Sequence, residues 1–193
     1  EVFLEIGKTH TVFAYNRNDK KDTENKRVST NRVEHLRELL LKRGLKPPYV
    51  LVGHSLGGTY VQYFAKKYPS EVVGVVVVDT PCPGALEDVS VFPKILLNVL
   101  KEIHQIDQKI LALPRTNIDM SILVATQKRF TSQYKEYIPM INLIHEKAKE
   151  YSTLYPQCTM EWVDTGHVVM FEKPELVSEA IKELLAKIEN SVG

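Results

Sequence analysis

Apolar and polar positions along the chain fall into two alternating patterns. Short apolar runs recur at residues 11–15, 49–52, 72–78 and 121–125, with a weaker fifth at 159–163 that Glu161 interrupts. The run Val72-Val73-Gly74-Val75-Val76-Val77-Val78 is nearly all β-branched and does not alternate with polar residues. That is how a strand covered on both faces reads. Helical periodicity fills the gaps. After the capping candidates Ser29 and Thr30, Val33, Leu36, Leu40 and Leu41 recur at helical spacing, and Gly44 closes the segment. A second helix is expected over 60–68, stopped by Pro69, and a third over 132–154, interrupted near Pro139 because proline cannot donate to the helix ladder. A fourth, over 174–188, carries its proline in the first turn and Leu176, Ala180, Leu184 and Ile188 on one face. Strand and helix alternate from end to end, which predicts an α/β fold with a mainly parallel sheet flanked by helices.

Residues 81–117 break that rhythm. Pro81, Pro83 and Gly84 open the segment, Pro114 lies near its end, and Phe92, Ile95, Leu96, Val99, Leu100 and Ile103 give an apolar helical face. A connecting helix in the core would look the same. Because the segment leaves the sheet at a strand's carboxyl end, where sites in such sheets gather, a small helical cap over a site is expected. With no repeats and no linker, 1–193 reads as a single domain with 81–117 as a cap insertion.

The totals narrow the function classes. A chain of 193 residues suits one domain and buries roughly 70% of its unfolded surface. A formal net charge of +1 with 25% charged residues offers no electrostatic case for nucleic acid or an acidic membrane surface. No apolar run approaches the roughly 20 residues of a membrane span. Cys82 and Cys158 lie far apart without metal-type spacing, so both read as free, small core or near-core residues, a single disulfide being the alternative, and a cytoplasmic location is expected. The first residues, Glu1-Val2-Phe3-Leu4-Glu5-Ile6, have no basic n-region and no initiator methionine and read as the middle of a longer sequence.

The candidate chemistry starts where the second run stops, in Val50-Leu51-Val52-Gly53-His54-Ser55-Leu56-Gly57-Gly58. A strand that turns sharply into a helix holds the central residue in a strained conformation, with its side chain above the sheet edge. Strand and helix approach closely there, which gives Gly53 and Gly57 a reason to flank Ser55. The following helix aims its positive end at the turn, and the Leu56 N–H can face a developing oxyanion. A serine hydroxyl needs a base. Of the six histidines, His167 follows the last strand candidate and precedes the final helix, at a carboxyl end of the sheet. His10, His35, His104 and His145 read as surface or packing residues, and His54 as a packing or hydrogen-bonding neighbour of the nucleophile.

Gly53-His54-Ser55-Leu56-Gly57-Gly58, then Tyr63-Phe64-Ala65, Tyr68-Pro69, the strand ending at Asp79, and Gly166-His167 with Glu172-Lys173-Pro174-Glu175 together resemble the α/β-hydrolase family. Tyr15-Asn16-Arg17 also resembles a family segment. The resemblance covers nearly the whole chain. It implies an eight-stranded, mostly parallel sheet and hydrolysis of esters or related bonds through an acyl-enzyme. Family members commonly place the acid after the strand corresponding to 121–125, but Thr126-Gln127-Lys128-Arg129-Phe130 offers no carboxylate. Others place it one strand earlier, which falls on Asp79, 24 residues beyond Ser55. Asp164 and Glu136 are the weaker alternatives. The family's second oxyanion donor, from a loop after an upstream strand, has no counterpart here, and the segment after Arg17 lacks the family's usual glycine pattern. Either N-terminal strands are absent from this sequence or the fold is a reduced version with an incomplete sheet; the unpaired edge that the second would expose favours the first.

These readings converge on a serine hydrolase of a small or medium carboxylic ester or related acyl compound, with Ser55 as nucleophile, His167 as base, Asp79 as acid and Leu56 as oxyanion donor. No metal or organic cofactor is expected, since there is no helical His pair and no glycine-rich dinucleotide turn. The alternatives are a non-catalytic binding protein on the same scaffold, or an acyltransferase or lactonase using the same residues. Oligomeric state is not legible in the sequence.

Overall fold

The valine-rich stretch 72–78 forms the centre of the sheet. In the computed structural model, which describes residues 1–15, 31–87 and 92–192, four parallel strands lie side by side in sequence order. They are β1 (Tyr49–His54), β2 (Val72–Val78), β3 (Asp119–Ala125) and β4 (Cys158–Val163). In β2, Val75 and Val77 pack with Phe64, Met120, Ile122 and Val124 on one face, while Val76 and Val78 pack with Leu123, Ala125 and Val163 on the other. Successive strand side chains point to opposite faces, so a strand sandwiched between two helical layers is apolar at every position. Full burial of each such valine stabilises the fold by about 1.5–3 kcal/mol in transfer terms.

The two layers follow from the order of the helices. On the first face lie α2 (Asn31–Lys42), α3 (Leu56–Lys67), α4 (Leu97–Ala112) and α7 (Tyr151–Leu154). The second face is covered by α1 (Val2–Ile6) and α9 (Pro174–Val192), with α8 (Val169–Glu172) beside them. Between β3 and α7 run α5 (Lys128–Gln133) and α6 (Ile138–Ala148). At the sheet's two edges single large apolar residues are exposed, Val52 on β1 and Met160 and Trp162 on β4. Among the described residues no helix is long and apolar enough to cross a membrane.

Several expectations change. Residues 11–15 carry no sheet pairing; instead Phe13 packs on the first core layer and Val12 on the second. The chain start, which had no expected element, is the helix α1. The expected 132–154 helix is divided among α5, a 3₁₀ turn at Lys135–Tyr137, α6 and α7. Pro139 sits in the first turn of α6, where its missing N–H costs nothing, rather than kinking a longer helix. The apolar face expected in 81–117 is also split. Phe92, Leu100 and Ile103 are buried, but Ile95 and Val99 are exposed: Ile95 precedes α4, which begins only at Leu97, and Val99 lies within α4 on a face turned away from the one that buries Leu100 and Ile103. Ser29, Thr30, Asn16 and Arg17 lie outside the described residues.

Because all four strands are parallel, their carboxyl ends share one edge of the sheet. β1 ends into Ser55, β2 into Asp79, β3 into Gln127 and β4 into the turn that carries His167. The fold therefore brings four distant sequence positions to one rim.

Candidate active site

Ser55 occupies the turn between β1 and α3 at φ 51° and ψ −126°, a conformation that costs a non-glycine residue free energy. The turn is locked from both sides. Ser55 N–H donates to Val78 O at 3.0 Å, and the Ser55 carbonyl accepts from Gly58 N–H at 2.9 Å and from the Thr80 hydroxyl at 3.2 Å. A Cβ on Gly53 would lie 2.5 Å from Gly57 O and 2.7 Å from Gly58 Cα, so the close approach of strand and helix does require glycine at 53. Gly57 is different. A Cβ there meets nothing within 4 Å, whereas one on Gly58 would collide with the Thr80 side chain. The tight contact thus needs Gly53 and Gly58, not the Gly53–Gly57 pair expected from the sequence. Leu56 opens α3, so its N–H belongs to the first turn, whose donors have no partner within the helix, at the positive end of the helix dipole.

Asp79 follows β2 directly and is also left-handed, at φ 44°. Its side chain is buried, with 3% of its surface exposed. Three donors converge on it. Ala125 N–H reaches Oδ1 at 3.0 Å, Gln127 Nε2 reaches Oδ2 at 2.9 Å, and His167 Nδ1 reaches Oδ2 at 2.6 Å. A carboxylate only accepts hydrogen bonds. Nδ1 therefore carries the proton, and in the neutral ring the lone pair sits on Nε2. The His167 side chain is 45% exposed, so the far side of the ring is open to a bound molecule.

His54 is more than a neighbour. Its Nε2–H donates to the His167 carbonyl oxygen at 2.7 Å, and the two rings lie 4.5 Å apart between centroids. The residue before Ser55 thus anchors the backbone of the residue paired with Asp79. His104 and His145 serve packing roles, bonded to the carbonyls of Leu86 and Ala125 respectively. Asp164 points elsewhere. It accepts from the Thr126 hydroxyl at 3.1 Å, and its side chain is largely exposed. Glu136 lies exposed in the 3₁₀ turn. Cys82 and Cys158 are free thiols, and burial pushes the Cys82 thiol up, which makes it a poor nucleophile.

The segment leaving Asp79 is itself pinned. Tyr151 Oη lies 3.1 Å from both the Thr80 and Pro81 carbonyls, and Gly84 N–H donates to Asp107 Oδ2 at 3.2 Å. Burial raises the Asp107 carboxyl to about 8. The candidates Ser55, Asp79 and His167 thus meet at one rim, joined there by Gln127, which carries no chemistry in its residue type and is recognisable only from its place after β3.

An alpha/beta hydrolase fold family profile matches residues 28–137. An uncharacterised Bacillus subtilis protein is 41% identical over 51 residues, 26% of this chain and 16% of that protein. An uncharacterised Schizosaccharomyces pombe protein is 43% identical over 53 residues, 28% of this chain and 10% of that protein. The match therefore spans well under two thirds of either relative. Among solved structures, a lipase candidate from Acinetobacter baumannii superposes with a TM-score of 0.55 at 20% identity, covering 85% of this chain and 69% of its own. A carboxylesterase of the thaumarchaeon Nitrososphaera gargenis gives 0.54 at 13% identity, covering 86% and 74%. With the family profile over more than half its length and this sheet beneath the strained serine turn, the chain belongs to the α/β-hydrolase fold family.

Proposed function

We propose that the chain carries a serine hydrolase site for small or medium carboxylic esters or related acyl compounds. The observation that carries this reading is the buried Asp79 carboxylate bonded to His167 Nδ1 at 2.6 Å, at the same sheet rim as the left-handed Ser55. Ser55 Oγ attacks the acyl carbon while His167 Nε2 takes the hydroxyl proton. As the tetrahedral intermediate collapses, His167 returns that proton to the leaving alcohol, and an acyl-serine remains. Water then attacks the acyl carbon, gives its proton to His167, and the acid leaves as Ser55 Oγ is reprotonated. Asp79 holds the ring in the tautomer with a free Nε2 and stabilises the imidazolium. The Leu56 N–H supplies one oxyanion contact, a type of donor worth about 3–4 kcal/mol in comparable sites.

In this reading only the part of 81–117 that precedes the core-facing end of α4 acts as a cap, since Ile106 and Ile110 carry α4 on into the first helical layer. Phe92 and Leu100 pack in one apolar cluster with Leu56, the residue that follows the nucleophile, which places apolar surface beside the site and favours a substrate with a hydrophobic group. The ester class is supported by the structural neighbours described as a lipase candidate and a carboxylesterase. The test is turnover of p-nitrophenyl esters of graded acyl length, in wild type, Ser55→Ala and His167→Ala. Hydrolysis that both substitutions abolish supports the reading. Turnover that survives Ser55→Ala places the chemistry elsewhere.

A further inference from the structure

Three non-glycine residues among those described have left-handed backbone: Ser55, Asp79 and Gln127, the last at φ 52°. Two of them are the nucleophile and acid of the reading above. The third has no role in it. Strained backbone persists where the surroundings enforce it, and it gathers at functional sites. A plain turn at Gln127 would be better served by glycine or asparagine. What glutamine adds is reach. Its side chain is buried, and Nε2 donates to Asp79 Oδ2 at 2.9 Å, the same oxygen that His167 Nδ1 meets at 2.6 Å. Its backbone N–H donates to Thr165 O at 2.9 Å, two residues before His167, and its carbonyl accepts from Thr131 N–H at 3.0 Å. One residue thus fastens the carboxylate to the segment that delivers the imidazole.

We propose that Gln127 is a positioning residue for Asp79, fixing Oδ2 on the line to His167 Nδ1 and, as a second donor to that oxygen, keeping the shared proton on the imidazole. Ala125 N–H holds the other oxygen, so without Gln127 the only remaining hold on Oδ2 among the described residues is its partner His167 itself, and carboxylate and imidazole can shift together about Oδ1. For its kinetic consequence the proposal rests on the hydrolase reading. The hydrogen bond itself does not depend on that reading.

The test compares Gln127→Met and Gln127→Gly, each in the wild-type and Asp79→Asn backgrounds, by kcat and KM on a p-nitrophenyl ester. The far-downfield Nδ1–H proton resonance of His167 is followed in parallel. Methionine keeps the length without the donor. Glycine removes the side chain while relieving the left-handed backbone, so it folds even if methionine does not. A positioning role predicts a kcat loss of roughly 10- to 100-fold in both variants, the range for a hydrogen bond to a charged acceptor, with KM little changed. It also predicts no further loss in the Asp79→Asn background and a shifted Nδ1–H resonance. Full kcat in Gln127→Gly, or an equal loss in both backgrounds, overturns the proposal while leaving the hydrolase reading intact. If the wild type hydrolyses no ester, that reading fails, and the resonance alone decides: a shift sustains the proposal and an unchanged signal refutes it.

Discussion

Asp79→Asn is the sharpest perturbation of the site, because the surrounding donors dictate what the amide must do. Ala125 N–H requires an acceptor at the Oδ1 position. The asparagine oxygen therefore takes that place, and its NH₂ falls where Oδ2 stood, 2.6 Å from His167 Nδ1. A donor there forces Nδ1 to accept, which moves the ring proton to Nε2 and removes the lone pair meant for the Ser55 proton. Gln127 can rotate its amide to present oxygen to the new NH₂, so the network survives and only the tautomer is wrong. Comparable tautomer inversions cost about 10⁴-fold in kcat, about 5.4 kcal/mol of barrier. The assay is steady-state ester hydrolysis, with a thermal melt to show that the fold persists. A folded Asp79→Asn protein losing less than about 10-fold would refute the argument that Asp79 sets the tautomer.

The remaining predictions concern the scaffold. Gly53→Ala drives a Cβ into backbone atoms at 2.5–2.7 Å and is expected to cost about 1–3 kcal/mol or more, whereas Gly57→Ala, with open space around its Cβ, is expected to be neutral or stabilising by up to about 1 kcal/mol; thermal melts of the two variants separate them. Ser55→Gly relieves the φ 51° backbone and should raise stability by about 1 kcal/mol, a Tm rise of roughly 2–4 °C, while abolishing turnover. Asp107, raised from its ordinary carboxylate value to about 8 by burial, holds its proton in the folded state over a range where the unfolded chain has lost it. Its contribution to stability is therefore complete below about pH 4 and falls by roughly 1.4 kcal/mol per unit as pH rises towards 8. Denaturant melts of Asp107→Asn should show a flatter pH dependence over that window.

Much of this was legible in the sequence because the central strands are dense in β-branched residues and lie between helices. Burial on both faces leaves a continuous apolar run that little else imitates. Residues 11–15, Thr-Val-Phe-Ala-Tyr, form a short apolar run without becoming a strand. Strand propensity reflects fitting a pleated neighbour, and Phe13 and Val12 instead pack, half-buried, against the two core clusters. Ser55 and His167 became candidates because their chemistry is specific to residue type and local order, and Asp79 because the family resemblance implies an acid at the end of that strand. Gln127 and the His54–His167 bond could not. Both are side chain meetings across long sequence separations, and neither residue type announces the geometry. The glycine argument was half right for the same reason. Which flanking glycine is crowded depends on Thr80, a residue on the next strand's exit.

The most direct test of the central claim is to label the folded protein with a fluorophosphonate probe and locate the adduct by peptide mass spectrometry. The account predicts one phosphonylated residue, Ser55, with no labelling in Ser55→Ala and strongly slowed labelling in His167→Ala. A folded wild-type protein that stays unlabelled, or carries the adduct on another residue, would contradict it.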